Sequence, residues 1–314
     1  MSKGVGEAPG KILLIGEHSV VYGHPAIAMP VEGARARVEV DLARDGRIEI
    51  EAPDIAQRAV EGQPTPARLA PLQRLAGSVR ELFGEPGVGL RVCVRSSIPV
   101  GRGMGSGAAV AVALVRAICA ALDRKLADDQ VEELAMEAER EFHGTPSGVD
   151  VAVTARRQAV YFVRGRTPQP IAAGESVFRF VIADTGIEAP TMAVVEEVRL
   201  ARERDQARLD ALFWELGLMA SVAREIIRCG APAEMGVCMS HAHAILKEVG
   251  VSSPELDALV HAALSAGALG AKLSGAGRGG VMIALVEDTA AEARVAAALR
   301  DAGAVGLFSA ALSR

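Results

Sequence analysis

Aromatic side chains make up only 3% of this chain, and it has four cysteines, Cys93, Cys119, Cys229 and Cys238. No two of them form a C-x-x-C pair and all four lie in apolar stretches, which argues against a zinc site or a disulfide framework and predicts reduced, buried thiols. Basic runs are also missing, and the formal net charge is −5. That balance excludes the electrostatic footprint expected of a nucleic-acid or anionic-membrane partner. A small anion held locally remains compatible with it. The first residues, M-S-K-G-V-G-E, lack the apolar core of a signal peptide. The longest apolar stretch, Ala108 to Leu122, is interrupted by Arg116 and is too short to span a bilayer. A cytoplasmic protein is therefore expected, with no membrane and no nucleic acid among its partners.

What is present is apolar material, 50% of 314 residues, enough for a core in each of two domains at roughly 150 residues per domain. Arg35 to Leu42 and Gly89 to Arg95 alternate with the period of half-buried strands, and Lys11 to Ile15 and Ala159 to Arg164 are short strand-like runs. Helical spacing runs from Ala108, over Asp128 to Phe142, and through Ala193 to Cys229, Glu234 to Val249 and Pro254 to Ala266. Strands and helices are thus mixed in both halves. The segment G-R-T-P-Q-P-I-A-A-G-E at 165–175 is the candidate crossing, giving domains of 1–170 and 171–314.

Two glycine clusters carry the chemistry. Pro99, Gly101, Arg102, Gly103, Met104, Gly105, Ser106, Gly107 and Ala108 form a loop that leads directly into a helix. Several backbone N–H groups can converge there on a polyphosphate at the positive end of the helix dipole. The loop has neither the Lys of a Walker A motif nor a G-x-G-x-x-G. Ser106 suits either an N-cap or a Mg²⁺-binding hydroxyl. The second cluster, K-L-S-G-A-G-R-G-G at 272–280, contains a formal G-x-G-x-x-G. It precedes a strand rather than a helix, so it is no dinucleotide fingerprint. A structural hairpin and a close-approach site remain equal readings of it. Lys11, Glu17 and His18 bracket the first strand, where solvated surface is the ordinary outcome. Glu139 sits at the border of its helix's apolar stripe, where half-exposure is usual. Asp150 follows a Pro-Ser-Gly turn and suits an N-cap or a constrained functional carboxylate, while His143 reads as a structural histidine.

Four ordered motifs, A-P-G-K-I-L-L-I-G-E-H-S-V-V-Y-G at 8–23, I-P-V-G-R-G-M-G-S-G-A-A at 98–109, E-R-E-F-H-G-T-P-S-G-V-D at 139–150 and A-K-L-S-G-A-G-R-G-G at 271–280, together resemble the GHMP kinase superfamily. The H-G-x-P-S-G-x-D loop and Asp184-Thr185 with Thr191 are most similar to the mevalonate kinases within it. The resemblance implies an α+β fold with a ribosomal protein S5 domain 2-like N-terminal domain, a ferredoxin-like C-terminal domain and the active site between them. It implies ATP-dependent phosphorylation of the C5-hydroxyl of mevalonate. The 99–108 loop would hold ATP, Ser106 and Glu139 would serve Mg²⁺, and Asp150 would be the base with Lys11 beside it. Lys11, Glu17, His18, Asp150, Thr191, Gly275 and Ala276 would contact the substrate. A phosphomevalonate or sugar kinase, or a non-catalytic sensor on the same fold, are the alternatives, and a homodimer is left open. The chain departs from the pattern at Gly107, where a second serine is usual, at Arg278 in place of a common glycine, and at Met192 in place of a frequent basic residue.

Overall fold

A computed structural model describes residues 3–144, 146–189 and 191–314; the side chain of His143, read above as structural, lies outside the described set, as does Thr145 of the 139–150 motif. The chain order begins β1 (Lys3–Ile15), β2 (Ala26–Ala43), β3 (Ile48–Ala52), β4 (Gln57–Val60), α1 (Ala70–Leu82) and β5 (Gly89–Ser96). It continues with α2 (Ser106–Ala121), α3 (Asp128–His143), α4 (Val149–Arg156), β6 (Val160–Phe162), β7 (Gln169–Pro170) and β8 (Phe178–Asp184). Then come α5 (Thr191–Arg204), α6 (Gln206–Cys229), α7 (Pro232–Val249), α8 (Pro254–Ser265), β9 (Gly270–Ser274), β10 (Val281–Val286), α9 (Thr289–Asp301) and β11 (Gly306–Leu312).

These elements form two compact units that interleave along the chain: residues 1–10, 34–99 and 105–157 in one, and 11–33, 100–104 and 158–314 in the other. In the first, β4 pairs antiparallel with β3, β3 parallel with β5, and β5 antiparallel with the distal part of β2. Helices α1 to α4 pack against one another. The alanine-rich α2 is buried nearly all round, as its lack of a polar face requires. Arg116, its one charge, reaches out to the carbonyls of Glu7 and Ala155 and to Asp128.

The second unit is built on a four-stranded antiparallel sheet in the order β11-β8-β10-β9. Taken in chain order the strands are arranged 4-1-3-2 with helices after the first and third, which is the ferredoxin-like pattern. Residues 26–28 of β2 pair with β6, and β6 with β7. Helix limits follow local chemistry. The long pattern from 193 to 229 divides because Asp205 caps a new helix, its carboxylate accepting from the Arg208 N–H at 3.3 Å. Ser253 and Asp288 cap α8 and α9 in the same way, and Gly230 and Gly250 close α6 and α7 in left-handed conformations. Phe178, Phe180 and Phe213 are fully buried, and Phe213 stacks on Tyr22 with ring centroids 4.8 Å apart.

All four cysteines are free thiols. Burial pushes Cys119 and Cys238 up to about 11, so both are inert. Cys93 and Cys229 correct the expectation of uniform burial: Cys93 on β5 is half-buried, and Cys229 at the last turn of α6 faces solvent. Among the described residues, no helix is long and apolar enough to cross a membrane.

Candidate active site

In the second unit residues 100–104 of the first glycine cluster meet the second cluster. Gly101, Gly103 and Gly105 have φ of 70°, 77° and 70°, the left-handed region that favours glycine. A Cβ on Gly103 would stand 3.3 Å from the Ser274 carbonyl oxygen and 3.4 Å from the Gly275 Cα. The glycines of 272–280 therefore do permit a close backbone approach, and the neighbour approached is the first loop. Main-chain bonds fix the arrangement: Lys11 N–H donates to the Met104 carbonyl at 2.9 Å, and Thr185 N–H to the Gly280 carbonyl at 2.9 Å. Ser274 Oγ accepts from Leu13 N–H at 2.9 Å and donates to the Leu13 carbonyl at 3.1 Å, clasping β9 to β1.

Lys11, Glu17 and His18 are buried rather than solvated, at 3%, 1% and 6% exposure. Burial of three polar side chains on one short stretch needs partners, and the glycine loop supplies one. His18 Nε2 donates to the Ala276 carbonyl at 2.9 Å, and burial holds its pKa below the usual histidine range. A carbonyl can only accept, so the neutral ring carries its proton on Nε2 and presents Nδ1 as an acceptor. Glu17 pairs with Lys272, itself fully buried. Thr191 is half-buried at the start of α5, its N–H bonded to the Ala189 carbonyl at 2.8 Å. Asp184 accepts from Gly186 N–H at 2.8 Å and lies 3.4 Å from Arg102 Nε, so that loop arginine faces the 184–191 segment. Met192 is 60% exposed. Arg278 is exposed, pairs with Glu197 on α5 and donates to the Gly250 carbonyl at 3.4 Å, with its own φ at 54°.

The first unit holds Gly105 to Ala108, Glu139 and Asp150. Gly105, not Ser106, is the N-cap of α2, because its left-handed φ ends the loop one residue earlier; Ser106 is the first helical residue. Likewise Gly148, with φ of 95°, caps α4, and Asp150 is in its first turn, where the helix dipole stabilises a carboxylate. Glu139 is 3% exposed rather than half-exposed, because α3 packs on α1 and α2 along its border face as well as its stripe. A Cβ on Gly107 would stand 2.9 Å from Glu139 Oε1 and 3.6 Å from the Phe142 ring. The carboxylate thus rests against the first turn of α2, in the place a second serine side chain would take.

Residues 72–158 match the GHMP kinases N terminal domain, and residues 218–305 the GHMP kinases C terminal domain. A mevalonate kinase of Pyrococcus furiosus is 33% identical over 98% of this chain and 96% of its own length. This chain belongs to the GHMP kinase family. A mevalonate kinase of Aeropyrum pernix is 35% identical, over 90% of this chain and 88% of its own. A crystal structure of L. major mevalonate kinase in complex with R-mevalonate superposes with a TM-score of 0.82 at 26% identity, covering 100% of this chain and 96% of that one.

GHMP kinase chemistry implies a divalent cation. Mg²⁺ is bound through one or two carboxylates with substrate phosphates and waters rather than in an all-protein cage. Among the described residues no group of three or more His, Cys, Asp or Glu side chains could hold a metal. The Glu139 carboxylate against the α2 N-terminus, with Ser106 beginning that helix, is a donor set that suits Mg²⁺ and not a structural zinc. The residue that sequence reasoning passed over is Lys272. It was visible as the one charge in a strand, G-A-K-L-S, whose other residues are apolar or small.

Proposed function

We propose that this GHMP kinase is an ATP-dependent mevalonate kinase, transferring the γ-phosphate of ATP to the C5-hydroxyl of mevalonate to give 5-phosphomevalonate. The near-full-length identity to archaeal mevalonate kinases carries this reading. The buried Lys11, Glu17 and His18 support it, since a sensor that only binds nucleotide does not need to desolvate such groups.

Phosphoryl transfer needs alignment of donor and acceptor and neutralisation of oxygen charge more than it needs covalent help. The left-handed glycines at 101, 103 and 105 lead along the chain into α2, a glycine loop before a helix that suits the ATP phosphates. Ser106 and Glu139 would hold Mg²⁺, which when bound neutralises charge on the phosphate oxygens. Asp150 accepts the C5-hydroxyl proton as that oxygen attacks the γ-phosphorus and ADP departs. Lys11 stabilises the negative charge that builds up during transfer. Thr191, Gly275 and Ala276 line the mevalonate side with Glu17 and His18. The two GHMP domains take 1–170 and 171–314 as their proposed limits.

A panel of mevalonate, phosphomevalonate and sugars, with purified protein, ATP and Mg²⁺, tests the reading by ADP release. Mevalonate is expected to have the highest kcat/KM. Faster turnover of another acceptor, or ATP binding without ADP release on any of them, refutes it.

A further inference from the structure

Helix α6 packs into the second unit along one side: Phe213 stacks on Tyr22, a Cβ on Gly217 would stand 2.9 Å from His24 Cβ, and Leu216 and Ala220 are fully buried. The opposite side is apolar as well. Trp214, Leu218 and Val222 recur every four residues and so form one row along the helix. Val237 of α7 stands beside that row. The two helices lie side by side, with Glu215 facing His241 Nε2 at 3.0 Å and Cys238 Sγ 3.8 Å from the Met219 carbonyl oxygen. Leu218 on α6 and Val237 on α7 are each one turn from the Glu215–His241 contact, in the same direction. The four side chains are 48% to 70% exposed. Single exposed apolar residues are ordinary, whereas a continuous row with a polar rim marks a surface that something covers.

We infer that this α6–α7 face binds a second copy of the chain, with α6 packed against its antiparallel counterpart about a two-fold axis at Leu218. A two-fold interface must be self-complementary. This row is: turned back on itself, it sets Trp214 of each copy against the smaller Val222 of the other, with the two Leu218 side chains meeting on the axis. The charges around the row are already paired within the chain, Asp210 with Arg202, Glu215 with His241 and Glu225 with Arg228, so closing the interface strands no lone charge. The size agrees too. The four side chains expose roughly 400 Å², and a standard interface buries about 800 Å² per partner, of which a little over half is non-polar.

Trp214 is the only tryptophan of the chain, so its emission reports this face alone. Sedimentation velocity of the full chain over a dilution series is expected to show a dimer. Leu218→Lys sets two like charges together on the axis and should raise the dimer dissociation constant about 100-fold or more. Trp214 should emit at shorter wavelength in the dimer than in the monomer that Leu218→Lys yields. Leu218 faces solvent in the single chain, so the substitution spares the fold; should α6 not tolerate it, Val237→Lys on the neighbouring helix gives the same result. A parent chain that is monomeric at every concentration, a dimer that both lysine variants leave intact, or a Trp214 emission that does not differ between dimer and monomer overturns the inference. A monomer whose Trp214 emission moves to shorter wavelength only when phosphatidylcholine vesicles are added assigns the face to lipid and overturns it equally. None of these outcomes bears on phosphoryl transfer, so the kinase reading stands or falls separately.

Discussion

Restoring the second serine that related kinases carry, by Gly107→Ser, should damage this enzyme rather than improve it. The new Cβ would begin 2.9 Å from Glu139 Oε1, closer than a carbon and a carboxylate oxygen can approach, so something must move. The backbone of α2 does not need to, since the atom in the way is the end of a side chain. It is the carboxylate that shifts, by several tenths of an ångström or by a change of rotamer, within a site where Glu139 is only 3% exposed. Stability should change little: replacing glycine within a helix gains up to about 1 kcal/mol, and an off-rotamer side chain costs about the same. Activity should not be spared, because displacements of about 1 Å in a catalytic array cost up to about 10²-fold. We expect kcat to fall about 10-fold or more, with a higher Mg²⁺ concentration needed for half-maximal rate and a thermal midpoint within a few degrees of the parent. Steady-state kinetics over a Mg²⁺ titration, beside a thermal melt, separates the two effects. A Gly107→Ser enzyme with parental kcat and parental Mg²⁺ dependence would refute the claim that Glu139 fills the place of the missing hydroxyl.

Much of the site was legible because glycine reports backbone need. The alternating glycines of 101–105 correspond to three left-handed residues, and those of 275–280 to a loop pressed against them. The ferredoxin-like half follows from the family resemblance carried by the motifs, whereas spacing alone yields only a mixture of strands and helices. Other features depend on partners far apart in sequence. Lys272 and Glu17 are 255 positions apart, and no periodicity connects them, so the lysine read as one more motif letter. A helical wheel places Glu139 at a border because it sees one helix and not the two packed against it. Of the two roles open to Ser106 and to Asp150, the cap falls away because the preceding glycines cap the helices themselves. Strand β1 starts well before the strand-like run Lys11 to Ile15, because the backbone of the glycine-rich stretch ahead of it is already extended from Lys3. The interleaving of the two units, with residues 11–33 and 100–104 belonging to the second, leaves no compositional mark at all.

Asp150→Asn should lower kcat by about 10²-fold or more, the loss expected for a general base; single-turnover kinetics with near-parental rates would remove Asp150 from that role. Lys11→Met should depress phosphoryl transfer while circular dichroism stays native, and a normal rate would leave Lys11 as a structural residue. His243 gives a prediction with a defined sign in pH. Its Nδ1 accepts from Leu273 N–H at 3.4 Å, so the ring proton is on Nε2, 3.3 Å from Asp257. Burial, reinforced by the positive charges of Lys272 and Lys247 and opposed by Asp257, pushes its pKa down to about 4. The unfolded chain, with an ordinary histidine near 6.5, therefore binds a proton that the folded protein refuses between those values. Stability from this group is complete above about pH 6.5 and is lost as pH falls toward 4, with about 2 kcal/mol gone by pH 5. His18, also depressed by burial, acts in the same direction, so the total acid sensitivity does not isolate either ring. His243→Gln does, because the amide can accept from Leu273 and donate to Asp257 without titrating. Urea unfolding at pH 7.5 and pH 5.0 should show the parent losing about 2 kcal/mol more than the variant between the two, and equal losses in both would show that His243 takes up its proton in the folded state as readily as in the unfolded chain.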